Sequence, residues 1–182
     1  MPVLTRRALL AAAAGAAAAP LLARVVRAEG APAPGAAASL PAPTVALLES
    51  SPLVYVCPLR AAGAESTCHA EVWFAWLDGS VVIITARDRW KARSIAAGRD
   101  RARLWVGDHG TWKTLTGRSD AFRKAPSFEA RGRFVNDRAA LDRLLAAYEK
   151  KYPSEIGRWR ARFESGFASG ERVLIAYAPL PA

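Results

Sequence analysis

Hydrophobic and polar residues alternate through much of the chain after residue 44, which is the pattern of strands that bury one face. Asp78-Gly79 separates two such runs, and Gly accepts the positive φ that a two-residue hairpin turn requires. Other strands are equally close in sequence, so we expect a mainly antiparallel sheet. Six strands are predicted, at Leu53–Leu59, Thr67–Leu77, Ser80–Ala86, Arg101–Gly107, Pro126–Val135 and Arg172–Ala178.

Helical spacing interrupts this alternation in two or three places, besides a short lead-in helix over Val45–Ser50. A helix is predicted to begin at Asp88 as its N-cap and to run to about Ala97. The clearest helix follows Asn136 or Asp137 and stops at Pro153. A further helical segment from Ile156 to Phe167 is predicted to break at Gly166 and Gly170. So few helices cover a sheet incompletely, and closing it into a barrel hides its edges.

The first 43 residues differ in composition from the remainder. Arg6-Arg7 precede a short Ala-rich apolar run, and Val26-Arg27-Ala28 is a small-residue cleavage pattern. Residues 1–28 therefore resemble a twin-arginine signal peptide, with residues 29–43 a disordered Ala/Pro linker and residues 44–182 the folded domain. We expect an exported, periplasmic protein without stable membrane insertion after cleavage.

Charge and cysteine content narrow the partner classes. The formal net charge is +10, of which the predicted signal peptide carries four arginines and no acid. Such a charge suits anionic ligands, but an exported protein meets little nucleic acid, so we expect no nucleic-acid partner. Cys57 and Cys68 either form a disulfide or are two small buried residues, and no Cys/His spacing indicates a metal site.

The residues that could bind a ligand cluster between the predicted strand Ser80–Ala86 and the helix that follows it. Thr85, Arg87, Arg89 and Lys91 cluster there, and Trp90 lies among them. Basic side chains beside free backbone N–H groups suit a phosphate. A solvated basic turn is the competing interpretation.

Three stretches together resemble the pyridoxamine 5'-phosphate oxidase-like split β-barrel family. They are Ala70-Glu-Val-Trp-Phe-Ala-Trp-Leu-Asp-Gly, Ile84-Thr-Ala-Arg-Asp-Arg-Trp-Lys and Phe128-Glu-Ala-Arg-Gly-Arg-Phe-Val-Asn-Asp. The resemblance implies an α+β, mainly β fold: a six-stranded antiparallel split β-barrel with two to three flanking helices. It also implies a homodimer that binds FMN in a groove between subunits.

Carried over by position, the resemblance assigns roles to the candidate residues. Val72 and Trp73 would flank the flavin ring, Thr85 would touch the ribityl or phosphate end, and Arg89 and Lys91 would hold the phosphate. Arg87 is a weaker candidate because the adjacent Asp88 could neutralise it, and Trp90 is a further one. A deazaflavin would suit the same basic loop.

Haem is the other cofactor alternative, because some split barrels of this type bind it. Its axial ligand would be His69 or His109. The function we expect is redox chemistry on an unidentified small molecule by an exported flavoprotein. The alternative is a non-catalytic flavin or haem carrier, and no residue stands out as catalytic.

Overall fold

The computed structural model describes residues 39–108 and 121–181. These form four α-helices and seven strands: α1 Ala42–Ser50, β1 Val54–Pro58, β2 Ala70–Val72, β3 Ala75–Leu77, β4 Ser80–Ala86, α2 Trp90–Ala96, β5 Arg101–Val106, β6 Ser127–Val135, α3 Arg138–Lys151, α4 Ile156–Ala168 and β7 Arg172–Pro179. The predicted signal peptide, most of the linker and His109 lie outside the described residues. No helix of the described ranges is long and apolar enough to cross a membrane.

All seven strands belong to one antiparallel sheet in the order β2-β1-β5-β6-β7-β4-β3. Its two edge strands, β2 and β3, are consecutive in the chain and only Trp73 and Phe74 separate them. The sheet must therefore curl until its edges approach each other. This fits the predicted mainly β, antiparallel split-barrel class, but the described residues contain seven strands instead of six and four α-helices instead of two to three.

The extra strand arises because the predicted strand Thr67–Leu77 breaks at Trp73–Phe74. Two tyrosines replace the strand partners there, Tyr148 of α3 and Tyr152, the residue that caps its C-terminus. The Tyr148 hydroxyl donates to the Trp73 carbonyl at 2.9 Å, and the Phe74 N–H donates to the Tyr152 hydroxyl at 3.1 Å. Tyr152 also lies within donor distance of the carbonyls of Phe74 (3.1 Å) and Pro52 (2.7 Å). Buried backbone N–H and C=O groups that have no strand partner need such hydrogen bonds.

Alternate residues of the strands pack into separate cores. Val81 and Ile83 of β4 face the barrel interior, whereas Val82 of the same strand packs against α3 and α4. Leu141, Leu144, Leu145 and Tyr148 of α3 are buried against that outer face, as the helical spacing predicted. A third, smaller cluster covers the outside of β1 and β5 with Tyr55, Cys57, Trp105 and Phe122.

The observed helix ends confirm one prediction from the sequence and correct two others. Asp137 is the N-cap of α3 and accepts from the Ala139 N–H at 3.0 Å, as predicted. Asp88 is not the cap: it lies in a turn in which the Arg89 N–H donates to the Ala86 carbonyl at 3.1 Å, and Arg89 is the N-cap residue of α2, extended and without a side-chain hydrogen bond. Gly166 lies inside α4 and does not break it.

Cys57 and Cys68 are free thiols in this fold. Extending the β1–β2 register places His69, not Cys68, opposite Cys57. Cys57 is buried and its sulfur lies 3.4 Å from the Ser66 carbonyl oxygen, while Cys68 is exposed.

Candidate functional site

The split of the barrel lies between β2 and the second half of β4. The β3–β4 ladder pairs Ala75 with Val82 and then ends. If it continued, Trp73 would face Ile84 and Val72 would face Thr85, but β2 turns away at the break and pairs with β1 instead. An opening therefore forms between residues that a continuous strand would have joined.

A cleft of about 410 Å³ occupies this opening. Its volume lies within the range of about 300–1,000 Å³ that is usual for small-molecule sites. Apolar and aromatic side chains dominate its lining, with one carboxylate among them; the lining residues are Leu53, Glu71, Val72, Trp73, Ile84, Tyr148, Trp159 and Phe163. Such a lining suits a planar, largely apolar ring system.

Aromatic contacts hold the walls of the cleft in place. Trp73 stacks on Tyr152 with ring centroids 4.3 Å apart and meets Tyr148 edge-on at 5.9 Å. On the α4 side, Trp159 and Phe163 lie nearly parallel at 6.1 Å. Because each wall ring packs on another ring, few rotamers are lost when a ligand enters.

Burial raises the pKa of the cleft residue Tyr148 and that of Tyr152, which stacks on Trp73, well above the usual range of a tyrosine. Both therefore stay neutral and donate hydrogen bonds at physiological pH. Glu71 enters the cleft from β2, and its Oε1 lies 3.0 Å from the Tyr55 hydroxyl, which donates to it.

Two buried polar side chains continue the split beyond the cleft. Thr85 and Lys91 are each only 8% exposed. No hydrogen bond or ion pair to the Thr85 hydroxyl or the Lys91 ammonium occurs within the described part of the chain. Burial lowers the pKa of Lys91, the nearby Cys68 thiol opposes that shift, and the charge of Arg89 adds to it. Keeping a charge on a largely buried lysine is costly, and an anionic ligand beside it would offset part of that cost.

The other candidates on the basic turn are exposed. Arg87 donates from Nε to the Gly170 carbonyl at 2.7 Å, which anchors the end of β4 to the loop before β7. The Arg89 Nε lies 3.9 Å from the Asp88 Oδ1, and both side chains are largely exposed to solvent. Trp90 is 36% exposed, and the Arg99 guanidinium lies 5.7 Å from its ring centre.

The structure thus brings only some of the predicted site residues together. Val72 and Trp73 line the cleft, on the side of β2 as the resemblance implied. The other predicted residues do not line the cleft; they come after its β4 residue, Ile84, between the end of β4 and the start of α2. They are Thr85, Arg87, Arg89, Trp90 and Lys91.

Several cleft residues were missed from the sequence. Tyr148, Trp159 and Phe163 were interpreted only as apolar faces of helices, and the docking of those helices against β4 decides that they also line a cleft. Arg162 and Arg172 lie beside it: their guanidinium groups are 5.6 Å from the Trp159 ring and 5.3 Å from the Phe163 ring. The arginines on the polar face of α4 were the available signal for Arg162, but they did not single it out, and Arg172 was interpreted only as the first residue of the last strand.

Comparisons with known proteins identify the fold. The sequence matches no family model and no curated protein. Among solved structures, the conserved hypothetical protein Rv2991 of Mycobacterium tuberculosis matches with a TM-score of 0.55 and 18% identity, over 80% of this chain and 83% of that one.

Two further structures are similar. HutZ of Vibrio cholerae, described as a heme storage protein, matches with a TM-score of 0.52 and 11% identity over 78% of this chain and 91% of its own. ChuZ of Campylobacter jejuni matches with a TM-score of 0.51 and 12% identity over 75% of this chain and 51% of its own. At such identities the likeness concerns the fold alone, and the chain shares the split-barrel fold of these proteins.

Proposed function

We propose that this protein is an exported flavoprotein that binds FMN in the cleft at the split of the barrel. The observation that carries the proposal is an aromatic-lined cleft, followed along the chain by two largely buried polar side chains, Thr85 and Lys91, that make no side-chain hydrogen bond or ion pair to another described residue. The ring system would lie against Trp73, Ile84 and the α4 aromatics, and the phosphate would extend toward Thr85, Lys91 and Arg89. Charge-assisted hydrogen bonds to a phosphate are the strong kind.

The protein's own residues would bind and orient the ring. Trp73, held by Tyr148 and Tyr152, forms one rigid wall, and the phosphate partners set how deeply the ring enters. Bound FMN would supply the redox chemistry. On this basis we propose an oxidoreductase that acts on a small molecule, and a homodimer in which a second copy completes the groove. A deazaflavin would use the same residues.

A haem-binding carrier is the second candidate, and the shared fold with HutZ favours it. The position of His69 argues against it in this chain. Its ring lies 4.9 Å from that of Phe122, in the cluster outside β1 and β5, and it does not line the cleft. Haem in the cleft would therefore need an axial ligand other than His69.

The first test is the chromophore of the protein purified from its native export route. A flavin spectrum with the mass of FMN supports the proposal, and a haem spectrum supports the alternative. A colourless protein that takes up neither cofactor on titration contradicts both.

The second test compares FMN with riboflavin, which lacks the phosphate, by calorimetry on Lys91→Met. We expect the variant to bind FMN about 10- to 150-fold more weakly, the worth of a charged hydrogen bond of about 1.5–3 kcal/mol, and riboflavin nearly as well as wild type. Arg93→Met, an exposed cation on the same helix, is the matched control and should change neither affinity. Equal losses for both ligands would place the phosphate elsewhere.

A further inference from the structure

Polar side chains beside the cleft lie on both faces of the sheet. Thr85 pairs with Val173, and both belong to the barrel-facing side. Arg172, the residue before Val173, faces the other way and packs on Phe163 of α4. Because neighbouring residues of a strand point to opposite faces, a single phosphate cannot contact both Thr85 and Arg172.

Arg172 is held in a defined position. An ideal Cβ added to Gly166 would lie 2.8 Å from Cδ and 2.9 Å from Cγ of Arg172, so only a glycine at this helical position lets the arginine stem lie against α4. Glycine inside a helix is unfavourable compared with alanine. The helix accepts that cost at the point where it seats this side chain.

The guanidinium that this seat positions lies among other cations. Burial lowers the pKa of Arg172, and the positive charges of Arg162 and Arg89 lower it further, against only Glu171 in the opposite direction. No ion pair to Arg162 or Arg172 occurs within residues 39–108 and 121–181. By contrast, most arginines on the outside of β5 and β6 and on the rest of α4 have a carboxylate partner; Arg101, Arg103, Arg131, Arg158 and Arg160 are examples.

We propose that Arg162 and Arg172 form an oxyanion subsite at the α4 side of the cleft, which binds the carboxylate or phosphate of a second small molecule. This inference rests on the proposed flavin site and adds a substrate class to it: a small organic anion whose charged group these arginines hold. Its remaining atoms then lie along Phe163 and Trp159, toward the cleft where the flavin ring is placed. Two guanidinium groups suit such an anion because each can donate two parallel hydrogen bonds to one oxyanion.

The oxyanion could come from two sources, the substrate or the phosphate of the flavin itself. Calorimetric titration with inorganic phosphate, on protein with and without FMN, distinguishes them. We expect both forms of the wild-type protein to bind phosphate, and Arg172→Gln and Arg162→Gln each to weaken that binding at least 10-fold while FMN affinity changes less than 3-fold. Arg60→Gln, which removes an exposed loop cation, is the control and should not change phosphate binding.

Three results would overturn the subsite. Phosphate binding that is absent in wild type, or unchanged in Arg172→Gln, removes it. A loss of FMN affinity in Arg172→Gln without a loss of riboflavin affinity assigns the arginines to the cofactor. Failure of the flavin proposal is distinguishable, because FMN then does not bind while the binding of phosphate to the flavin-free protein can still be measured. Circular dichroism and thermal unfolding of each variant verify that it folds.

Discussion

Tyr152→Phe tests whether the hydroxyl of Tyr152, the residue that caps the C-terminus of α3, stabilises the break between β2 and β3. The substitution removes a single oxygen from a buried ring and keeps the stacking on Trp73. It leaves the Phe74 N–H without its acceptor and deprives the carbonyls of Pro52 and Phe74 of a donor. No strand replaces these partners, because β2 and β3 end on either side of Phe74.

The size of the effect follows from these contacts. A buried N–H without a partner costs about 1–3 kcal/mol, and the lost hydroxyl donation contributes about 1 kcal/mol more. We therefore expect the free energy of unfolding to fall by about 2–4 kcal/mol. For a domain of this size that corresponds to a decrease in Tm on the order of 5–12 °C.

Urea unfolding followed by circular dichroism measures this change, with Tyr148→Phe as the matched control. Tyr148 makes one hydrogen bond of this kind, to the Trp73 carbonyl, so its loss should cost about 1 kcal/mol. Equal and small effects of the two substitutions would refute the view that Tyr152 holds the strand break. We also expect Tyr152→Phe to leave ligand binding in the cleft nearly unchanged in the folded protein, because the ring that supports Trp73 is kept.

Two further predictions concern stability. Gly166→Ala should change the free energy of unfolding by less than about 1 kcal/mol, because the gain in helix propensity offsets the displacement of Arg172, and it should weaken phosphate binding. The control is Gly157→Ala: a Cβ at that position has no atom within 4 Å, so phosphate binding should stay unchanged. An unchanged phosphate affinity in Gly166→Ala would contradict the seat proposed for Arg172. Burial lowers the pKa of Lys151 to about 8, below its value in the unfolded chain, so the stability of the wild-type protein should rise as pH increases from about 8 to 10.5. Lys151→Met should reduce this rise, to which Lys91 also contributes because burial lowers its pKa too. The variant should be more stable at pH 7 by about 1–2 kcal/mol in urea unfolding, less than the full shift implies because the Leu48 carbonyl (3.3 Å) and the Phe74 ring (3.6 Å) favour the charged form; identical pH profiles would show that the ammonium is not desolvated.

Local patterns predicted most of the elements well. The strand Ser80–Ala86 has the predicted bounds, and Asp137 caps α3 as expected, because each depends on residues that are adjacent in sequence. Errors occurred where a distant residue competes with the local signal. The strand Thr67–Leu77 has unbroken alternation, and tyrosines about 75 residues later supply the hydrogen bonds that interrupt it.

Helix ends show the same limit. Gly166 reads as a helix breaker because glycine has low helix propensity, but α4 continues through it since the Arg172 stem packs there. Asp88 is a good N-cap residue by type, yet the chain reaches α2 in an extended conformation at Arg89.

The sequence alone determined the class of the protein, because alternation and short turns specify an antiparallel, mainly β domain. Those properties depend on the period of a strand and on neighbours along the chain. Only the tertiary structure decided that one predicted strand becomes two edges of a curled sheet, and that α4 adds Trp159, Phe163 and a seated Arg172 to the opening between them. Contacts of this kind join residues far apart in sequence, and their energies are settled by packing, which no local pattern records.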